Sequence, residues 1–251
     1  MDLQLKGANA IVTGGTKGIG RAIANTLADE GCNVSICARN QEEIDAAVAD
    51  LSAKGVTSFG QSVDVGDDSL KGWIDASAEA LGGIDIVISN VSGGGAQGED
   101  AWRRHLEYEM LGAVRLVEGA MEQLEASENG NVILISTTAA LEKFMNAGPY
   151  NALKAALLNY NGALSQELAP KGIRVNAISP GPIFIEGGAW DNIKQHMTAL
   201  YDATVADIPL GRMGSADEVA AQVALLVSPR AGFTTGTNVV IDGELTKRIQ
   251  F

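Results

Sequence analysis

At 251 residues the chain is long enough to bury one large core, and α/β folds of this size are often built as one domain. Apolar residues make up 46% and charged residues 20%, ordinary for a globular enzyme, whereas a formal net charge of −13 argues against nucleic acid or an anionic membrane as a general partner, because both reward basic patches. No apolar run approaches the ~20 residues of a membrane span, and Met1 to Lys6 leads almost directly into the apolar Ala8-Asn9-Ala10-Ile11-Val12 without a signal-peptide pattern, so a cytoplasmic location is expected.

Short β-rich runs alternate with longer helical patterns. In chain order the expected strands are Asn9–Thr13, Asn33–Ala38, Thr57–Ser62, Ile84–Ser89, Asn131–Ser136, Arg174–Ser179 and Asn238–Ile241. The expected helices are Gly18–Glu30, Gln41–Lys54, Asp68–Leu81, Asp100–Ala126, Pro149–Ala169 and Ala216–Val227. Such alternation predicts right-handed βαβ units and one parallel sheet covered on both faces. The fold class is therefore α/β, a single-domain Rossmann fold over 1–251 with a doubly wound parallel sheet of about seven strands. Ile86-Val87-Ile88 and Val132-Ile133-Leu134-Ile135 are continuous apolar runs of the kind found in strands buried on both faces.

Between the first strand and helix lies Thr13-Gly14-Gly15-Thr16-Lys17-Gly18-Ile19-Gly20. Gly14 allows a tight turn, and Gly18 and Gly20 let the backbone approach a pyrophosphate at the helix N-terminus. A site selective for NAD usually carries an acid at the end of the second strand to hold the ribose 2′-hydroxyl. That strand here ends Cys37-Ala38-Arg39-Asn40, and Arg39 together with Lys17 suits the 2′-phosphate of NADP(H), with NAD(H) the less favoured cofactor. Either cation is also compatible with a solvated surface position. Cys32 and Cys37 are five residues apart and fall on opposite faces of a strand, which speaks against a disulfide between them. His105 and His196 lack metal-ligand spacing, and no metal is expected.

The segment Pro180–Gly214 interrupts the regular alternation and holds Phe184, Trp190, Met197 and Tyr201. Long insertions of this kind are usually functional, so a substrate lid over roughly 182–214 is expected, the alternative being an ordinary pair of packing helices. Phe184 and Trp190 are the candidate substrate contacts on that segment and suggest a partly apolar substrate; either is also compatible with the core.

The glycine turn, Asn90-Val91-Ser92-Gly93, Tyr150-Asn151-Ala152-Leu153-Lys154, Pro180-Gly181 and the ending Gly236-Thr237-Asn238-Val239-Val240-Ile241-Asp242-Gly243 occur in the order seen in short-chain dehydrogenases/reductases. The chain resembles that family over essentially its whole length. The resemblance implies that Tyr150 is the general acid/base, and that Lys154 assists it and holds the nicotinamide ribose. The spacing makes physical sense, since residues i and i+4 share a helix face and an ammonium beside a phenol lowers the cost of the phenolate. By the same resemblance Asp64, followed by Val65, contacts adenine, Asn90 makes backbone contacts on the adenine-ribose side, and Ile183 holds the nicotinamide amide through its main chain.

Three positions depart from the family pattern. The usual catalytic Ser becomes Thr137, flanked by Ser136 and Thr138; Thr keeps a donating hydroxyl but narrows the pocket. The usual Asn of the proton relay, counted from Trp102 and checked against Gly112, becomes Glu109. Two placements are open for it: within reach of Lys154, where it offsets part of the ammonium's influence, or solvated on its helix. A Thr that contacts the nicotinamide end becomes Ile185, which removes a hydrogen bond worth roughly 0.5–1.5 kcal/mol.

The leading expectation is an NADPH-dependent oxidoreductase acting on a small-molecule carbonyl or secondary alcohol, as a carbonyl reductase with homotetrameric or, less favoured, homodimeric assembly by resemblance. The competing class is a catalytically weakened relative that binds a dinucleotide and acts through partners. Within enzymes, a 3-oxoacyl-carrier-protein reductase is disfavoured, because the loop Leu124–Gly130 is acidic where an acidic carrier needs cations.

Overall fold

The computed structural model describes residues 1–94, 98–144 and 147–248; 95–97, 145–146 and 249–251 of the expected 1–251 domain lie outside the described residues. The sheet is built from β1 (Asn9–Thr13), β2 (Asn33–Ala38), β3 (Ser58–Ser62), β4 (Ile86–Ser89), β5 (Asn131–Ile135), β6 (Arg174–Pro180) and β9 (Asn238–Ile241). They lie in the order β3-β2-β1-β4-β5-β6-β9, every neighbouring pair parallel. This is the doubly wound Rossmann arrangement expected from the alternating pattern. Chain direction across the sheet reverses between β1 and β4, and a crevice opens at the carboxyl ends of strands at such a switch point.

Two apolar layers cover the sheet. Ile23, Leu27 and Ile36 belong to one, together with Val223 of α9 (Ala216–Val227); Trp73, Leu116, Leu157 and Val175 belong to the other. Side chains alternate across a strand, so Cys32 and Cys37 point into opposite layers. Both thiols are free and buried, and burial pushes each up to about 12, which makes them inert apolar filler rather than nucleophiles.

The helices confirm the expected pattern in α1 (Gly18–Asp29), α2 (Gln41–Ser52), α3 (Ser69–Leu81) and α6 (Pro149–Leu168). The expected single helix Asp100–Ala126 is corrected. It divides into α4 (Gly98–His105), a π-helical turn Leu106–Leu111 and α5 (Gly112–Ala126). The Gly112 amide bonds back five residues to the Glu107 carbonyl, so one extra residue fits the turn and Glu109 is turned inward; such wide turns concentrate at functional sites. The irregular segment carries β7 (Ile183–Phe184), α7 (Ala189–His196), α8 (Thr198–Asp207) and β8 (Gly214–Ser215), with β7 paired to β8. Among the described residues no helix is long and apolar enough to cross a membrane.

Candidate active site

The glycine turn is shaped for a ligand that approaches the backbone. Gly14 has φ +68° and Gly18 φ +57°, values that favour glycine. A Cβ at Gly20 would stand 2.3 Å from the Gly14 carbonyl oxygen and 2.5 Å from Asn90 Nδ2. No side chain caps the start of α1, and its first turn carries no acid; the orphan N–H groups and the positive end of the helix dipole suit a phosphate. Asn90 holds this turn in place: Nδ2 donates to the Thr13 carbonyl at 3.0 Å and its backbone N–H donates to Thr13 Oγ1 at 3.0 Å. The half-buried Ile19 packs against the layer that holds α1.

From this turn a cleft of about 630 Å³ runs past Arg39, Asp64, Val65 and Asn90 to Ser92 and Gly93. Gly14, Thr16 and Lys17 line it as well. The two expected cations differ in setting. Lys17 Nζ sits 2.7 Å from Glu43 Oε1, and Thr16 Oγ1 donates to Glu43 at 3.4 Å. Arg39 is exposed at the cleft wall. Asp64 Oδ2 accepts from the Tyr108 hydroxyl at 2.7 Å and Oδ1 from the Gly66 N–H at 3.0 Å. Burial first, then the bond to Asp64, raises the Tyr108 phenol, while Arg104 and Arg39 pull it the other way. The Arg104 guanidinium stacks 4.6 Å from the Tyr108 ring centroid.

Beyond Ser92 and Gly93 the site is closed by buried charge. Tyr150 and Lys154 leave α6 four residues apart. Lys154 is 3% exposed; its Nζ donates to the Ile135 carbonyl at 2.7 Å and lies 2.6 Å from Glu109 Oε2. Glu109 is 1% exposed, which settles its placement in favour of Lys154 and against solvent. Its other oxygen, Oε1, accepts from Ser92 Oγ at 2.6 Å and the Gly93 N–H at 3.1 Å, with His105 Nδ1 at 3.1 Å. Burial alone would push this carboxyl up, but the Lys154 charge and the bonds from Lys154, Ser92 and Gly93 outweigh it and hold the group below the ordinary carboxylate range. The His105 ring meets the Tyr150 ring edge-on with centroids 5.9 Å apart.

Of the three neighbouring hydroxyls, Ser136 Oγ donates to the Lys154 carbonyl at 3.0 Å. Thr137 is buried, accepts from the Ala139 N–H at 3.2 Å and reaches the Pro180 carbonyl only at 3.5 Å. Gly181 donates to the Ile241 carbonyl at 2.9 Å, and a Cβ there would meet Asp242 Cβ at 2.6 Å. Ile183 is buried in β7 opposite Gly214. Ile185 turns its Cδ1 to within 3.2 Å of where a Gly18 Cβ would stand, so the departing residue packs on the glycine turn. Phe184 and Trp190 fall in separate aromatic pairs: Phe184 with Tyr201 at 6.4 Å, Trp190 with Phe144 at 6.3 Å.

Sequence reasoning missed Ser92, Arg104, Tyr108 and His105 as members of the site. The i, i+4 spacing of His105 and Glu109 was the available signal for one of them.

A family model described as Enoyl-(Acyl carrier protein) reductase matches residues 14–246. The chain is 40% identical over 255 residues to the isoepoxydon dehydrogenase patN of Penicillium expansum, covering 98% of each chain. A short-chain dehydrogenase from Burkholderia cenocepacia, solved in complex with NADP, superposes with a TM-score of 0.87 at 31% identity over 96% of this chain and 99% of its own. The L-sorbose reductase of Gluconobacter frateurii, solved with NADPH and L-sorbose, superposes with a TM-score of 0.91 at 27% identity over 99% and 100% of the two chains. The chain belongs to the short-chain dehydrogenase/reductase family of oxidoreductases.

Proposed function

We propose that the protein is an NADPH-dependent carbonyl reductase that also runs in reverse as an alcohol dehydrogenase. The observation that carries this reading is the buried, oriented Lys154 four residues from Tyr150, beyond the end of a cleft whose glycine turn is cut for a phosphate. The residues fit a dinucleotide: the uncapped α1 N-terminus and Gly14, Gly18 and Gly20 take the pyrophosphate, Asp64 and Val65 the adenine, and Arg39 the 2′-phosphate. Lys17, already paired with Glu43, contributes less. Pro180, Gly181 and Ile183 border the nicotinamide end. The bound dinucleotide supplies the hydride.

The chain's own residues handle the proton. Tyr150 donates a proton to the substrate oxygen in reduction and accepts one in oxidation, with Lys154 four residues along the same helix. Thr137 polarises that oxygen; its hydroxyl hydrogen has only a long contact with Pro180 to give up, whereas Ser136 is committed to Lys154. Residues 182–214 act as the substrate lid, with Phe184 and Trp190 against an apolar part of the substrate. Exposed Trp102 on α4 and Leu106 and Leu111 at the two ends of the π-helical turn support self-association, which by family resemblance is a homotetramer, with a homodimer as the smaller alternative.

Glu109 favours a second reading. By cancelling the Lys154 charge it suits a weakened relative that binds a dinucleotide and acts through partners. NADPH oxidation across L-sorbose and a panel of ketones, aldehydes and quinones, together with NADP+ reduction by isoepoxydon, both followed by absorbance, separates the two. Turnover supports the reductase; NADPH binding without turnover supports the second reading. Tyr150→Phe is expected to lose roughly 10²–10⁴-fold in rate while its NADPH fluorescence titration stays unchanged. Full activity in that variant rejects the assignment.

A further inference from the structure

Two carboxylates line the cleft, and they are held differently. Glu43 is an ion-pair partner, 2.7 Å from Lys17 Nζ. Asp64 receives two neutral donors, the Gly66 N–H at 3.0 Å on Oδ1 and the Tyr108 hydroxyl at 2.7 Å on Oδ2. A carboxylate only accepts, and its two oxygens offer about four lone-pair sites. Two fixed donors therefore leave acceptor capacity to spare while removing the freedom of the group to swing. Val63, Val65 and Val91 line the same cleft, so this pinned acceptor stands among apolar surface suited to a flat base.

Tyr108 is itself fixed. It sits on the π-helical turn and reaches the residue 44 positions before it, just past β3. Its ring packs on the backbone of Gly66, where a Cβ would stand 3.3 Å from Cε2. The Arg104 guanidinium lies 4.6 Å from the ring centroid. Arg104 is anchored in turn, its Nε donating to the Gly93 carbonyl at 2.5 Å and to the Gly94 carbonyl at 3.1 Å. Burial and the bond to Asp64 hold the phenol above its ordinary range, so it remains a donor at neutral pH.

We propose that Tyr108 is a positioning residue for cofactor specificity: by pinning Asp64 as an acceptor, it selects a dinucleotide whose purine carries a 6-amino group over one with a 6-oxo group. The inference rests on the dinucleotide-binding part of the function proposed above. The 6-amine of adenine is a donor and meets an acceptor-only group. Hypoxanthine puts a carbonyl oxygen at that place, and two acceptors then face each other. It also carries an N1–H one ring position away. A carboxylate free to turn follows that N–H and accepts from it; a pinned one does not. The Tyr108 hydroxyl thus widens the difference between the two bases, and it does so through Asp64.

Titration with NADPH and with its reduced hypoxanthine analogue, followed by nicotinamide fluorescence, tests this without any substrate. Wild type is expected to bind NADPH roughly 10–100-fold more tightly, the range of one hydrogen bond to a charged group. Tyr108→Phe keeps the ring against Gly66 and Arg104 and is expected to cut that ratio by roughly threefold to tenfold. Asp64→Asn is expected to bring the ratio to about one, because an amide offers either an acceptor or a donor. Adding Tyr108→Phe to Asp64→Asn should move the ratio no further, since the hydroxyl acts through the carboxylate.

A Tyr108 with only a structural role lowers both affinities by the same factor and leaves the ratio unmoved. That outcome overturns the proposal, as does a wild-type ratio near one, a ratio unchanged by Asp64→Asn, or a further shift in the double variant. In each of these NADPH still binds and the dinucleotide reading stands. Failure of wild type to bind NADPH at all removes that reading and the proposal with it.

Discussion

The two ends of the site are built from different materials. The end proposed to take the phosphates is backbone: a glycine turn, an uncapped helix start and an amide side chain, Asn90, that bonds main-chain atoms. The far end is buried side-chain charge, Lys154 against one carboxylate oxygen of Glu109, with the His105 ring beside the other. A backbone cradle tolerates any side chain that leaves the turn intact. A buried charge cluster tolerates almost none, because removing one member strands the others. The difference teaches where substitutions should hurt stability and where they should alter only affinity.

The largest expected effect is at the charged end. Glu109→Ala leaves Lys154 buried without its counter-ion and is expected to lose about 3–5 kcal/mol, read as a lower urea midpoint at pH 7. The sign with pH follows from a carboxyl held below its ordinary range in the folded state. Its stabilisation is full above the unfolded value of about 4.3 and drains away as pH falls through the lower folded value. Wild type and Glu109→Gln should therefore differ most near neutrality and draw together only as pH falls through that lower folded value. Equal unfolding midpoints for wild type and Glu109→Ala would break the contrast between the two ends.

At the backbone end the effect is on affinity. Arg39→Ser is expected to weaken NADPH by about 1.5–3 kcal/mol, roughly 10–150-fold, with little change for NADH and little change in melting temperature. Lys17→Ala should cost less, because Glu43 already holds that ammonium. Binding titrations of both dinucleotides to both variants sharpen the comparison, and a larger loss from Lys17→Ala would reverse the ranking of the two cations.

The two ends were also unequally legible in the sequence. Strand order and the glycine turn follow from periodicity and from residue types that local sterics require, so they can be read directly. Tyr150 and Lys154 could be paired because helix spacing sets their face. Glu109 could be counted to its position but not placed, because the inward turn depends on the π-helical bonding of Leu106–Leu111, which leaves no composition signature. For the same reason 100–126 reads as one helix. Tyr108 reaches Asp64 from a different element 44 residues away; no local pattern reports such a contact. Ser136 and Thr137 are adjacent hydroxyls, and only their partners tell them apart.

That pair gives the smallest effect and a direct check on roles. Ser136 Oγ is buried and bonds the Lys154 main-chain carbonyl at 3.0 Å, so it ties β5 to α6 rather than facing a substrate. Removing one neutral hydrogen bond of this kind costs about 1 kcal/mol, and the freed carbonyl keeps its place in the helix. Ser136→Ala should therefore lower the unfolding midpoint slightly and leave kcat within about twofold of wild type, since no group that develops charge is touched. Thr137, with its hydroxyl engaged only weakly by Pro180, is the side chain whose loss should be felt in kcat. A tenfold or greater fall in kcat for Ser136→Ala at unchanged stability would exchange the two assignments and move the substrate oxygen one residue along the chain.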